Sequence, residues 1–403
     1  MRLSHLTILR SPLTGAKINI KSAIDWYSEA DLKTGILEST NGELFPVICG
    51  IPIFTEDETG SMALRNIQSG SADMAAYTLL NGQPLYWVEE PERTFQQLLY
   101  QFVGRWSADY FYYRRSDPSF ISGLSSLRLA RGQVGWAFDL GCGCGHNSDI
   151  LARMLPGQKV IGFDSTFKLL YLARHFIAPD CDFICCDLEK GLPVTSAQAG
   201  TVLCSDTFTF LNNKWGSARE MLRLLREGGR LIVTRLLQNA PSHWNSVRFR
   251  LLPLEQYLPL FESSCVQVFS DQALRQAYLD AQPIAPVSQV HEQSCSLVVS
   301  KTKLPERAYD EFLDTYQPDQ LYLNPLYVQS KGSDWQLVWP SQPYALDYQA
   351  NSGYLPPTLE LPEKLFGAPS ESKHLEDWIR RRVLLFLPDR YGGIGSPFLR
   401  RTE

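Results

Sequence analysis

One turn constrains this chain more than any other stretch. Asp139-Leu140-Gly141-Cys142-Gly143-Cys144-Gly145 follows the apolar run Trp136-Ala137-Phe138 and precedes a segment carrying Ile150, Leu151, Met154 and Leu155 on one helical face. Three alternating glycines let the backbone turn sharply and approach a ligand closely. Strand, glycine turn and helix, ended here by Pro156-Gly157, are the opening of a βαβ unit. The unit repeats. Val160-Ile161-Gly162-Phe163 ends at Asp164, and Phe167, Leu170 and Ala173 mark the next helix. Phe183-Ile184-Cys185-Cys186 ends at Asp187, and Thr201-Val202-Leu203-Cys204-Ser205 ends at Asp206. A helix through Met221, Leu224 and Leu225 leads to Glu227-Gly228-Gly229 and a fifth strand, Arg230-Leu231-Ile232-Val233-Thr234. This alternation predicts an α/β fold with helices flanking a mostly parallel sheet. Open sheets of that kind bind ligands at the carboxyl ends of their strands, where the acids fall.

The acids suggest the ligand. Asp164 lies 25 residues beyond Asp139, placed to accept both hydrogen bonds of a ribose diol, and Asp187 is placed to meet an adenine amino group. A dinucleotide fingerprint would read Gly-x-Gly-x-x-Gly. Here an acid precedes Gly-x-Gly-x-Gly; it would repel a pyrophosphate but can take the cationic amino-acid end of a sulfonium cofactor, directly or through water.

This set closely resembles the class I S-adenosylmethionine-dependent methyltransferases over about 170 residues. The resemblance implies a Rossmann-like core with a seven-stranded, mostly parallel sheet, whose antiparallel end is Ser294-Cys295-Ser296-Leu297-Val298-Val299-Ser300-Lys301. It implies S-adenosylmethionine as cofactor and S-adenosylhomocysteine as product. Asp139, Gly141, Gly143 and Gly145 would form the cofactor loop, Asp164 with Ser165 the ribose end, and Asp187 with Leu188 the surroundings of the adenine. Ser205 and Asp206 would lie beside the transferring methyl, and Leu225 to Leu231 would match the turn before the fifth strand.

Methyl transfer is served chiefly by alignment of acceptor, methyl and sulfur. A general base matters for a hydroxyl or an activated carbon. The candidates are Asp206 and His243, the latter in Pro241-Ser242-His243-Trp244; His146 is more simply explained by its place at a helix start. No cluster identifies the acceptor. The expectation is a small molecule, with natural-product biosynthesis as one setting, methylated on oxygen, nitrogen or carbon. An RNA or protein methyltransferase is the alternative, and a non-catalytic scaffold subunit the second. Ser205-Asp206-Thr207-Phe208 lacks the Asn-Pro-Pro-Tyr signature of base methylation, which argues against nucleic acid.

Four regions follow. Residues 1–60 read as a small β lobe with a hairpin at Asn41-Gly42 and breaks at Gly50 and Pro52. Phe45-Pro46-Val47 and Gly50-Ile51-Pro52 resemble the Trm112-like zinc ribbon. Ser11 and Thr14 stand where that family has cysteines, and hydroxyls are poor zinc ligands beside thiolates. The expectation is therefore a lobe without metal. Residues 61–125 read as a helical lid or linker ending in the aromatic stretch 106–115. Residues 126–303 hold the methyltransferase core. Residues 304–403 form an aromatic-rich extension, with helices expected at 309–316 and around Trp378, that serves as lid, substrate wall or dimer contact.

Composition bounds the rest. The 403 residues carry 38 Lys and Arg against 43 Asp and Glu, a net charge of −5 that disfavours a general nucleic-acid binder. The basic run 214–250 reads mostly as a solvated helix face. No apolar run is long enough to cross a bilayer, and Met1-Arg2-Leu3-Ser4-His5 lacks a signal-peptide core, so a cytoplasmic protein is expected. Nine scattered cysteines suit reduced, buried packing better than disulfides or a thiol metal site.

Overall fold

The computed structural model describes residues 1–55, 57–239, 244, 248–262, 264–304, 321–330, 334–360 and 371–393. The chain opens with an antiparallel meander of β1 (Ile18–Ser28), β2 (Asp31–Ser39), β3 (Leu44–Ile48) and β4 (Ile51–Pro52). The turn expected at Asn41-Gly42 joins β2 to β3. Cys49 (φ 48°) and Gly50 (φ 75°) then form a second tight hairpin that sets Ile48 opposite Ile51. Gly50 thus reverses the chain where the sequence suggested only a break.

Helices α1 (Glu58–Gln68), α2 (Ala72–Leu79), α3 (Leu85–Val88), α4 (Phe95–Phe102), α5 (Arg105–Tyr112) and α6 (Pro118–Leu127) follow. Their starts are specified locally. Thr94 and Gln97 form a reciprocal capping box on α4, while Asp117 caps α6 ahead of Pro118.

The core comprises β5 (Trp136–Leu140), α7 (His146–Met154), β6 (Lys159–Asp164), α8 (Phe167–Leu172), β7 (Asp182–Cys185), β8 (Ala199–Ser205), α9 (Lys214–Leu224) and β9 (Leu225–Leu237). It closes with α10 (Leu254–Tyr257), β10 (Cys265–Ser270), α11 (Asp271–Leu279) and β11 (Ser294–Ser300). The seven strands are ordered β10-β11-β9-β8-β5-β6-β7. The five from β9 to β7 run parallel, and β11 is antiparallel to both neighbours. This is the α/β, Rossmann-like class I architecture expected from the sequence. Successive residues of each strand serve opposite faces: Phe138, Ile161 and Val202 pack into one apolar cluster, Ala137, Val160 and Leu203 into the other. Burial on both sides explains why these strands read as continuous apolar runs.

Strand order reverses between β5 and β8, which opens the crevice at their carboxyl ends. The amino-terminal lobe extends the opposite edge: Ile53 bridges Cys185 in parallel, and the Phe54 N–H donates to the Cys185 carbonyl at 2.7 Å. Buried Arg174 ties the seam through Asp31 (2.6 Å) and Asp182 (3.3 Å).

After the core come β12 (Leu321–Leu323), β13 (Tyr327–Gln329), β14 (Asp334–Leu337), α12 (Gln342–Tyr348), β15 (Thr358–Glu360), α13 (Glu371–Arg380) and β16 (Leu384–Phe386). These form one two-stranded and one three-stranded sheet. The helix expected at 309–316 lies outside the described residues. Among the described residues, no helix is long and apolar enough to cross a membrane.

Candidate active site

Gly141, Gly143 and Gly145 all have positive φ, 72°, 52° and 76°. A side chain is excluded at the first two for a second reason. A Cβ on Gly141 would lie 2.4 Å from Thr207, and one on Gly143 would lie 2.5 Å from Phe111 of α5. The turn is therefore a cradle of bare backbone, walled by Thr207 beyond β8 and by Phe111 from the aromatic stretch.

Asp139 lies beneath it, almost fully buried, with its Oδ2 accepting from the Ser148 hydroxyl at 2.7 Å. Burial outweighs that bond and pushes its carboxyl up to about 7. Asp164 closes the cradle: the Gly143 N–H donates to Oδ2 (3.0 Å) and the Thr166 N–H to Oδ1 (2.9 Å). Burial again raises its pKa, against the opposing backbone bonds.

Beyond Asp164, a cavity of about 270 Å³ is lined by Ser165, Thr166, Phe167 and Cys185 from the core and by Ile53, Thr55 and Asp57 from the amino-terminal lobe. Asp187 turns inward on its own loop, accepting the Glu189 N–H at 2.9 Å, and Leu188 is buried beside it. A bare cradle, a held carboxylate and an adjoining cavity fit the amino-acid, ribose and base parts of S-adenosylmethionine.

On the other side of the switch point lies a charged hub. Ser205 is buried and accepts from the Thr234 hydroxyl at 2.8 Å. Asp206, at φ 55°, accepts from the Tyr110 hydroxyl at 3.0 Å and faces Arg235 at 3.4 Å and Arg114 at 3.7 Å. Arg114 also grips Asp117 through Oδ1 and Oδ2 (2.9 and 2.8 Å). Arg235 is aimed by a bulge: Thr234 and Arg235 together oppose Ser296 alone on β11, and Arg235 sits at φ 53°. Its guanidinium lies over Trp244 (5.8 Å) and over Tyr348 of α12 (5.7 Å). The Trp244 indole donates to Asp347 at 2.7 Å.

The structure thus brings Asp139, Gly141, Gly143, Gly145, Asp164 and Ser165 to one crevice, with Ser205 and Asp206 facing the hub and Asp187 and Leu188 on the loop beyond β7. His243 lies outside the described residues. His146 is buried against Phe95, and burial holds its imidazole far below the ordinary range. Sequence reasoning missed Arg114, Arg235 and Tyr348. The aromatic stretch 106–115 pointed at the first, whereas Arg235 was hidden in a basic run read as solvated helix.

Residues 138–233 match the family model described as "Methyltransferase domain". Trans-aconitate 2-methyltransferase of Azoarcus sp. (strain BH72) is 28% identical over 116 residues, covering 26% of this chain and 45% of that protein. The enzyme of the same name from Escherichia coli (strain K12 / DH10B) is 26% identical over 153 residues, covering 37% and 56%. The chain spans about half the length of these curated relatives. Similar solved structures include a TehB-like SAM-dependent methyltransferase from Corynebacterium glutamicum (17% identity, TM-score 0.34, 44% of this chain and 88% of that one). Another is the plantazolicin methyltransferase BpumL in complex with a pentazolic desmethylPZN analog and SAH (15% identity, TM-score 0.38, 52% and 96%).

Proposed function

We propose that this chain is an S-adenosylmethionine-dependent methyltransferase acting on a small-molecule acceptor. The observation that carries the reading is the cradle at the switch point, where Asp164 is fixed over the bare glycine turn by the Gly143 N–H. When bound, the cofactor supplies a methyl group on a sulfonium, already an activated leaving group. Asp164 offers its remaining lone pairs to the ribose hydroxyls. Ser165, Asp187 and Leu188 border the base, and buried Asp139 answers the cationic amino-acid end. Ser205 and Asp206 face the acceptor, with Asp206 oriented by Tyr110 and His243 the second candidate base. Tyr348, buried in the aromatic roof contributed by α12, supports a small enclosed acceptor over a broad polymer entrance. The relatives' name, trans-aconitate 2-methyltransferase, agrees with a small polar acceptor.

The amino-terminal lobe belongs to the same reading as a Trm112-like unit that holds no zinc. Ser11 and Thr14, at the first two ligand positions, donate their hydroxyls to Glu43 (both 2.9 Å), and Ser39 adds a third at 2.6 Å. Purified protein should contain no stoichiometric zinc; one tightly held zinc per chain would overturn this assignment.

The test of function is titration calorimetry with S-adenosylmethionine and S-adenosylhomocysteine. Micromolar binding by the wild type, weakened at least tenfold by Asp164→Ala, is expected; a wild type that binds neither would sink the proposal. A pH series sharpens it. Asp139 must ionise to meet a cation, and its pKa in the free protein is pushed up to about 7. Affinity should therefore rise with pH up to about 7, with proton release on binding below that, and Asp139→Asn should flatten the profile.

A further inference from the structure

Arg235 also lines a cavity of about 80 Å³, whose walls include no residue of the glycine turn. The last of the preceding helices, two core elements and the carboxyl-terminal extension converge on it, with Ser122 from α6, Arg235 from β9, Arg275 from α11 and Asn351 beyond α12. The space holds two or three waters, at about 30 Å³ each, which is the size of one small polar headgroup.

The chemistry of the wall is decided by which groups are already committed. Asp271 accepts from the hydroxyls of Ser294 and Ser296, both at 2.6 Å, and burial raises its pKa against those bonds. Asp347 is engaged by the Trp244 indole. The Ser122 hydroxyl donates to the Asp271 carbonyl at 2.8 Å. Both carboxylates on the wall thus already accept hydrogen bonds. The guanidiniums keep donors to spare: Arg235 spends one nitrogen on Asp206 and stacks the guanidinium plane on aromatic faces. Half-buried Arg275 makes no hydrogen bond or ion pair to the described residues. Two guanidiniums with spare N–H donors around a headgroup-sized polar space are suited to an oxyanion, which each can grip with charge-assisted bonds.

We propose that this cavity, between Arg235 and Arg275, receives an oxyanion group of the methyl acceptor, a carboxylate or a phosphate, and so selects anionic acceptors. The inference rests on the methyltransferase reading for the word acceptor, while the oxyanion site stands on the cavity itself. Arg235 faces both this cavity and Asp206, so an anion held here extends toward the end of β8. The bulge that aims Arg235 is the device that joins the two.

The probes are glutarate and inorganic phosphate, titrated into the full chain saturated with S-adenosylhomocysteine, with sodium chloride at matched ionic strength and choline as controls. Binding of at least one oxyanion, weakened about tenfold or more by Arg275→Gln and partly restored by Arg275→Lys, is expected. Preference for glutarate assigns a carboxylate acceptor, and preference for phosphate a phosphorylated one. Arg275→Gln should leave S-adenosylhomocysteine binding within twofold, which reports that the variant is folded. Absence of oxyanion binding, or binding that Arg275→Gln leaves unchanged, overturns the inference. Loss of S-adenosylhomocysteine binding by the wild type would instead defeat the methyltransferase reading, and oxyanion binding measured without it would still judge the cavity.

Discussion

The two appended regions attach to the core in different ways. The amino-terminal lobe is joined to the sheet itself: β4 runs on into the Ile53–Cys185 bridge, the Arg10 N–H donates to the Pro193 carbonyl, and Arg174 is clamped between Asp31 and Asp182. The carboxyl-terminal extension grips the helices that overlie the site. The Tyr354 hydroxyl donates to the Ser116 carbonyl at 2.7 Å and Tyr112 to the Gly392 carbonyl at 2.6 Å. The first two N–H groups of α4, which have no partner within the helix, donate to the Arg390 and Tyr391 carbonyls. One lobe is thus charged and continuous with the sheet, bordering the cavity beyond Asp164. The other is phenolic, holding the segments that carry Tyr110 and Arg114 beside the hub.

Breaking the charged seam should have the largest effect. Arg174→Ala leaves Asp31 to the amino-terminal ammonium and Asp182 to Arg2, removes the cation that joins the two, and should cost about 2 to 3 kcal/mol in urea unfolding. A loss below about 0.5 kcal/mol would show that strand pairing alone holds the lobe. Tyr354→Phe should cost about 1 to 2 kcal/mol, because it strands a buried carbonyl. Its further signature is a weakened acceptor response with S-adenosylhomocysteine affinity unchanged. Glu43→Gln should cost up to about 1 kcal/mol, since three hydroxyl bonds persist in weaker, neutral form.

The smallest effect separates the lobes by pH. For Glu43, hydrogen bonds from Ser39, Ser11 and Thr14 outweigh a desolvation that opposes them, and its pKa is lowered. Asp31 is lowered likewise, its desolvation exceeded by the amino-terminal ammonium and Arg174 together. Their stabilisation is complete above the ordinary carboxylate range and is lost as pH falls through the lowered values. The phenols Tyr112 and Tyr354 are pushed upward by burial and do not titrate in acid. Limited proteolysis on descending from pH 7 toward 3 should therefore open the amino-terminal lobe first. Simultaneous opening would erase the distinction.

The core was legible because β5 to β8 are buried on both faces and end at or near an acid, so an apolar run with a terminal Asp carries both architecture and site. β1 was not: Lys21 and Asp25 face solvent on an edge strand and break the apolar pattern. The cradle was legible in its glycines, whose positive φ leaves few alternatives. The hub was not, because Arg114, Arg235 and Tyr348 come from three distant segments and acquire meaning only when folded together. Arg235 depends further on a bulge, a slip in register that leaves no mark in composition.

The Glu43 cluster has a consequence for where such a protein can work. A knuckle of cysteine thiolates ties a lobe to the cell's metal supply and to its oxidants, since chelators and peroxides attack the same sulfurs. Three hydroxyls gathered on one carboxylate offer neither a handle. The lobe folded around Ser11, Thr14, Ser39 and Glu43 should keep its melting temperature in EDTA and in peroxide, and only acid should loosen that corner.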